Sequence, residues 1–143
     1  MNKFILFVFS LCIVGIISCS KKPAENAAVA DQTEWPGLDS FHMTMAEVFH
    51  PLKDSGDVRP IMARATELAD EAEKWANAPL PEKVNNDEVK QLLAELKTGT
   101  RDLANQIKEG TEEDVAGTRL YELHDLFHKI QEKWYGKSEH HEH

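Results

Sequence analysis

The sequence predicts an all-α fold, an antiparallel up-down-up-down four-helix bundle with a short first helix. Three observations predict it. Apolar residues between positions 35 and 136 recur three and four apart, the spacing of one helical face. No stretch alternates apolar and polar residues over a useful length, as a half-buried strand would. Proline and glycine fall between the periodic segments and leave short connections, which bring consecutive helices into antiparallel contact.

The chain has 143 residues, enough for one domain. The first 18 residues differ from the rest. Asn2 and Lys3 give a polar, basic start; residues 4–17 are almost wholly apolar; Ser18 and Cys19 close the run. That run is too short and wrongly flanked for a permanent membrane span. It reads as a secretory signal, and its closing Ile16-Ile17-Ser18-Cys19 resembles the bacterial lipoprotein signal. The resemblance implies that Cys19 carries the lipid (palmitate) and becomes the first mature residue. Cys12 leaves with the signal, so no thiol remains for a disulfide, a redox pair or a thiolate metal site. Residues 19–34 are small, polar and without period, a tether between lipid and domain. Ser20 and Lys21 do not resemble an inner-membrane retention signal. The expected location is therefore the outer membrane of a Gram-negative bacterium, facing the periplasm.

Charge narrows the partners. Lysine and arginine total 16 against 25 acidic residues, a net charge of −9. Loss of Lys3 with the signal leaves 15 against 25, or −10. Such a surface repels nucleic acid and anionic lipid surfaces and is compatible with cations.

The elements follow in order. Trp35-Pro36-Gly37 opens the domain as a turn, with Trp35 packing back on it. Asp39 or Ser40 caps a first helix that ends near Phe49. Its stripe is Leu38, Phe41, Met45, Val48 and Phe49, and Pro51 ends or bends it. Residues 53–57 form a loop. Asp57 caps a second helix running to about Asn77, with Pro60 tolerated in its first turn. Its face is Ile61, Met62, Ala65, Leu68, Ala69, Ala72, Trp75 and Ala76. Pro79 and Pro81 break the chain. A third helix starts at Asn85, Asn86 or Asp87 and carries Val89, Leu92, Leu93, Leu96, Leu103 and Ile107 to about Lys108. Gly99 inside it costs about 1 kcal/mol against alanine. Gly110 stops it. Residues 111–114 (TEED) then offer a capping box for a fourth helix reaching about Tyr135. Val115, Leu120, Leu123, Phe127, Ile130 and Trp134 form its stripe, and Gly136 closes it. Residues 137–143 (KSEHHEH) are a polar tail with a loose grouping of His140, His141 and His143. Trp35, Trp75 and Trp134 are expected as core or end plugs.

Chemistry concentrates on the histidines. His42, His50, His124 and His128 each follow a core residue: Phe41, Phe49, Leu123 and Phe127. At about 100° per residue, His124 lies about 80° from the centre of its stripe, His128 about 120° and His42 about 70°. These flank positions can meet a neighbouring helix. His124 and His128 stand one turn apart, so both can reach one ion, and neutral imidazole suits Zn²⁺, Cu²⁺ or Ni²⁺. His42 and His50 are about 12 Å apart along the axis, too far to join the pair together. The expected metal cluster is His50, His124 and His128, with His42 behind it or in another site. Glu47 and Glu122 are possible carboxylate donors, although Glu47 points away from the core of its helix. No His-Glu-X-X-His motif occurs. The mature serines, Ser20, Ser40, Ser55 and Ser138, lie in tether, cap, loop or tail, and the glycines stand singly. An enzyme is not expected.

The layout, with Leu123-His124-Asp125-Leu126-Phe127-His128 in the last helix, is similar to the exported four-helix bundles of the cytochrome b562 and cytochrome c-prime group. The resemblance implies a haem-ligand histidine late in helix four, at His124 or His128. It also implies a methionine ligand early in helix one, where Met43 or Met45 would correspond. Met45 lies on the core stripe, whereas Met43 points outward. The covalent motif Cys-X-X-Cys-His is absent, which leaves non-covalent haem b as the alternative, with Phe127 and Trp134 bulky enough to fill the space it needs. The repeated Phe-His pairs also look like those of small lipoproteins from Bacteroidetes-like bacteria, which implies a lipid-anchored periplasmic protein handling metal ions. The expected activity is binding of a divalent transition metal for sensing, buffering or transfer. The rival is a helical interaction module that binds a protein partner without metal. Convergence of three of the four domain histidines within about 4–5 Å separates them, that being the spread of donors around one ion.

Overall fold

A computed structural model describes residues 34–136. The expected signal, the expected lipidation at Cys19, the expected tether to residue 33 and the histidine tail lie outside the described residues. Four helices make an antiparallel bundle: α1 (Pro36–Ser55), α2 (Arg59–Asn77), α3 (Asp87–Lys108) and α4 (Glu113–Tyr135). Each packs on its sequence neighbour, and α1 and α4 meet along the sparsest of the adjacent seams. No helix among the described residues is long and apolar enough to cross a membrane.

The first helix is longer than its sequence suggests. It spans 20 residues, because Pro36 occupies its first turn, where a missing N–H costs nothing. Pro51 lies inside it rather than at its end. The helix closes only at Gly56, whose φ of 70° lets its N–H reach the Leu52 carbonyl at 2.8 Å. That bond is the 5→1 bond of an αL ending, and the Asp57 N–H adds a bond to the Pro51 carbonyl at 3.1 Å.

Other boundaries turn on caps. Val58 is the N-cap of α2, while the Asp57 carboxylate accepts from the Arg59 N–H at 3.0 Å, so Asp57 serves the turn just before the helix. Between α2 and α3 a 3₁₀ turn, Glu82–Val84, seats Val84 in the core. Asn86 caps α3, its side chain accepting from the Val89 N–H at 3.0 Å. The expected capping box at α4 does not form. Glu112 is its N-cap and makes no side-chain bond, and the Asp114 carboxylate accepts from the Val115 N–H instead. Val115, expected on the stripe, is exposed, because the core face of α4 begins at Ala116.

The remaining stripe residues pack together. Phe41, Met45, Ile61, Leu68, Leu96, Leu103, Leu120 and Ile130 are fully buried. Trp35 closes one end, its ring 5.1 Å from Trp75 and 5.6 Å from Trp134. Phe41 continues the stack, 5.4 Å from Trp75 and 5.5 Å from Phe127. Aromatic pairs at these spacings prefer tilted or edge-on packing, as here. All three tryptophans are plugs, as the sequence reading expects.

Three seams carry ion pairs between helices. Arg64 on α2 meets Glu47 on α1, Arg101 on α3 meets Asp70 and Glu73 on α2, and Lys133 on α4 meets Glu88 on α3. The α1–α4 seam is dressed with rings instead.

Candidate functional site: a histidine face between the first and last helices

The seam is built from helical spacing. Phe49 on α1 and Phe127 on α4 point into the bundle, so the histidine beside each stands at the seam's outer edge. His124 lies flat on Phe49, ring centroids 3.6 Å apart and planes 10° from parallel. His42 lies over Phe127 at 5.4 Å and 25°. Tyr121, one turn before His124, meets Phe49 edge-on at 5.0 Å.

His124 and His128 come together. Their Nε2 atoms are 3.2 Å apart, and the His128 Nδ1 is 3.0 Å from Gln131 Oε1. The protons follow from the partners. An amide oxygen only accepts, so His128 Nδ1 carries the hydrogen. The His128 Nε2 of the neutral ring is then a bare lone pair, and His124 Nε2–H donates to it.

Burial and neighbouring charge favour the neutral forms of His42 and His124. The His124 pKa is lowered to about 4, first by desolvation, then by His128, with Lys53 and His50 adding to the effect and Asp125 opposing it. The His42 pKa is also lowered, first by desolvation where its ring covers Phe127, then by His128 and His50, against Asp39. The four histidines therefore share one electrostatic neighbourhood.

They do not form one cluster of donors. His42 and His50 are exposed, whereas His124 and His128 are half-buried. Among the described residues no group of three His, Cys, Asp or Glu side chains is placed to hold a metal ion. Of the expected set His50, His124, His128 and His42, only the α4 pair is within bonding distance. The side chains decide this: His42 is drawn onto Phe127, and Phe49 takes one face of His124. The possible carboxylate donors are engaged elsewhere, Glu47 with Arg64 and Glu122 with Arg119.

Haem does not fit the interior beside these rings. Met45, its expected ligand, is fully buried in the side-chain core. The space next to His124 is filled by Phe49, and Phe41, Trp75 and Phe127 interlock across the bundle. Met43 is 66% exposed and faces outward.

Two contributors escape a reading based on histidines alone. Gln131 orients His128, and Phe49 supports His124. Gln131 had a signal in the spacing 124, 128 and 131, three successive turns of one helix edge. The Phe49–His124 stack had none, since it joins residues 75 positions apart. Comparison with protein-family models, curated proteins and solved structures gave no match. The expected likeness to haem bundles is therefore supported only as far as the four-helix architecture.

Proposed function

We propose that this chain is a non-catalytic helical interaction module, lipid-anchored through Cys19 to the outer membrane and facing the periplasm. Its working surface is the α1–α4 face, where it meets a protein partner. One observation carries the reading. The interior is filled by interlocked aromatics, while this one seam presents polar rings, with Tyr121 and His50 exposed beside His124, where the other seams carry ion pairs. The apolar run at 4–17 ending in Cys19 supports the anchor. The absence of a three-donor group among the described residues favours this reading over a closed metal centre. A photo-crosslinking residue at position 50 or 121 of the anchored protein tests it in cells, with position 95 on α3 as control. A discrete adduct from 50 or 121 alone is expected. Equal labelling from all three positions would sink the assignment of the face.

A second reading, reversible binding of Zn²⁺, Cu²⁺ or Ni²⁺ for sensing, buffering or transfer, is favoured by the His124–His128 spacing. Two imidazole nitrogens on one tetrahedral ion, each about 2.05 Å from it, lie about 3.3 Å apart. The pair stands at 3.2 Å. The acidic surface would raise the local cation concentration. Calorimetric titration of the chain carrying His140→Ala, His141→Ala and His143→Ala, which silences the tail, tests this reading. Stoichiometric binding lost in His124→Ala, His128→Ala supports it. Absence of binding ends it for the domain.

A further inference from the structure

We infer that His124, His128 and Gln131 form a tautomer-locked half-site for a divalent transition ion, with Gln131 as its positioning residue. This inference rests on the metal reading and specifies which donors act and what sets them. The two Nε2 atoms stand close to the separation one ion requires. The Gln131 Oε1 accepts the Nδ1–H of His128 and thereby bares its Nε2 toward the partner ring. Metal-binding imidazoles characteristically donate their other N–H to an oxygen acceptor, which fixes tautomer and ring orientation and raises donor strength. That arrangement is built into α4 by the spacing of His128 and Gln131.

His124 is held differently. Phe49 covers one face of its ring and limits rotation to the plane of the stack. Among the described residues no hydrogen bond holds its Nδ1 as Gln131 holds that of His128, so its proton can pass from Nε2 to Nδ1 through solvent as the ion arrives. Both Nε2 lone pairs then serve the ion, and no net proton is lost.

Two donors leave two positions of a tetrahedral ion open. His42 and His50, exposed on α1 in the same neighbourhood, are candidates to enter them, as are a partner's ligands. An incomplete, half-buried site suits capture and hand-over of an ion better than storage, because an incoming ligand can attack the open positions.

The test has two arms on the chain with its tail histidines replaced by alanine. Long-range ¹H–¹⁵N spectra at pH 7.5 without metal read the tautomers directly. The expected forms are Nδ1–H for His128 and Nε2–H for His124, with His128 becoming a mixture in Gln131→Ala. Titration with Zn²⁺, Cu²⁺ and Ni²⁺ should then show one ion per chain, bound about 10–100-fold more weakly by Gln131→Ala. Gln131→Glu, which keeps an oxygen acceptor, should restore affinity. Unchanged helicity by circular dichroism identifies the loss as local. If the parent chain binds no ion, the metal reading and this site fall together. If the parent binds while Gln131→Ala keeps both its affinity and the His128 tautomer, the role of Gln131 alone is overturned.

Discussion

Phe49 on α1 and His124 on α4 stack face to face, 3.6 Å between centroids and 10° between planes. The contact ties together the pair of adjacent helices that otherwise meet least closely. It also explains why a histidine at a seam remains neutral. One face of the imidazole is against a hydrocarbon ring, and its edge meets a second imidazole.

Acid should weaken the fold through this residue. His124 has a folded pKa of about 4 against an ordinary value of 6.5. Between those values the unfolded chain binds more protons, so stability is intact above pH 6.5 and is lost as pH falls toward 4. Allowing for solvent screening of a half-buried ring, the loss is about 1–2 kcal/mol. Urea unfolding at pH 7.5 and 4.5 measures it, and His124→Phe should remove much of the difference. An identical pH dependence in that variant would assign the effect to other groups.

The first turn of α1 has no room for a side chain. A Cβ on Gly37 would stand 2.2 Å from Trp75 Cδ1, and Trp75 is itself held between Trp35, Phe41 and Phe127. Gly37→Ala should therefore cost about 1–3 kcal/mol, the range for overpacking a filled core. At Gly99 the Cβ would meet only the tip of Leu123 at 2.7 Å, a side chain that can turn aside. There the gain in helix propensity, about 1 kcal/mol, offsets part of the strain. Thermal unfolding should rank Gly37→Ala well below Gly99→Ala; equal midpoints would contradict the packing argument.

The caps of α3 and α4 should respond differently. Asn86→Ala removes the acceptor of the Val89 N–H and should destabilise by about 1 kcal/mol. Thr111→Ala touches no cap bond, because the box suggested by Thr111 and Asp114 is not made, and should stay within about 0.5 kcal/mol of the parent. Denaturant midpoints for the two variants decide between the observed caps and the capping box.

Truncating Phe127 should strike core and site together. It is 1% exposed, touches Phe41 and Trp75, and carries His42 on its outer side. Phe127→Ala should cost about 3–5 kcal/mol. It should also raise the His42 pKa toward its ordinary value, since desolvation over that ring is the main cause of its lowering. A ¹H titration of His42 unchanged in the variant would show that another surface buries it.

What the sequence determined by itself was the bundle: four helices, their antiparallel order, nearly every core residue and the tolerance of Gly99 within α3. Periodicity suffices for these because burial of an apolar stripe is the dominant driving force and depends on spacing alone. It was weaker at ends. Pro51 reads as a stop, yet α1 runs on to Ser55, since packing of Leu52 and the Gly56 ending outweigh one missing hydrogen bond. The sequence also placed four histidines at the edges of two adjacent helices. It could not say which of them meet. That depended on Phe49 and Phe127 reaching across the seam to claim the faces of His124 and His42, and on Gln131 turning His128 toward its neighbour. Directional contacts such as these require positions in space within a few tenths of an ångström, and helical spacing fixes only the face on which a ring begins.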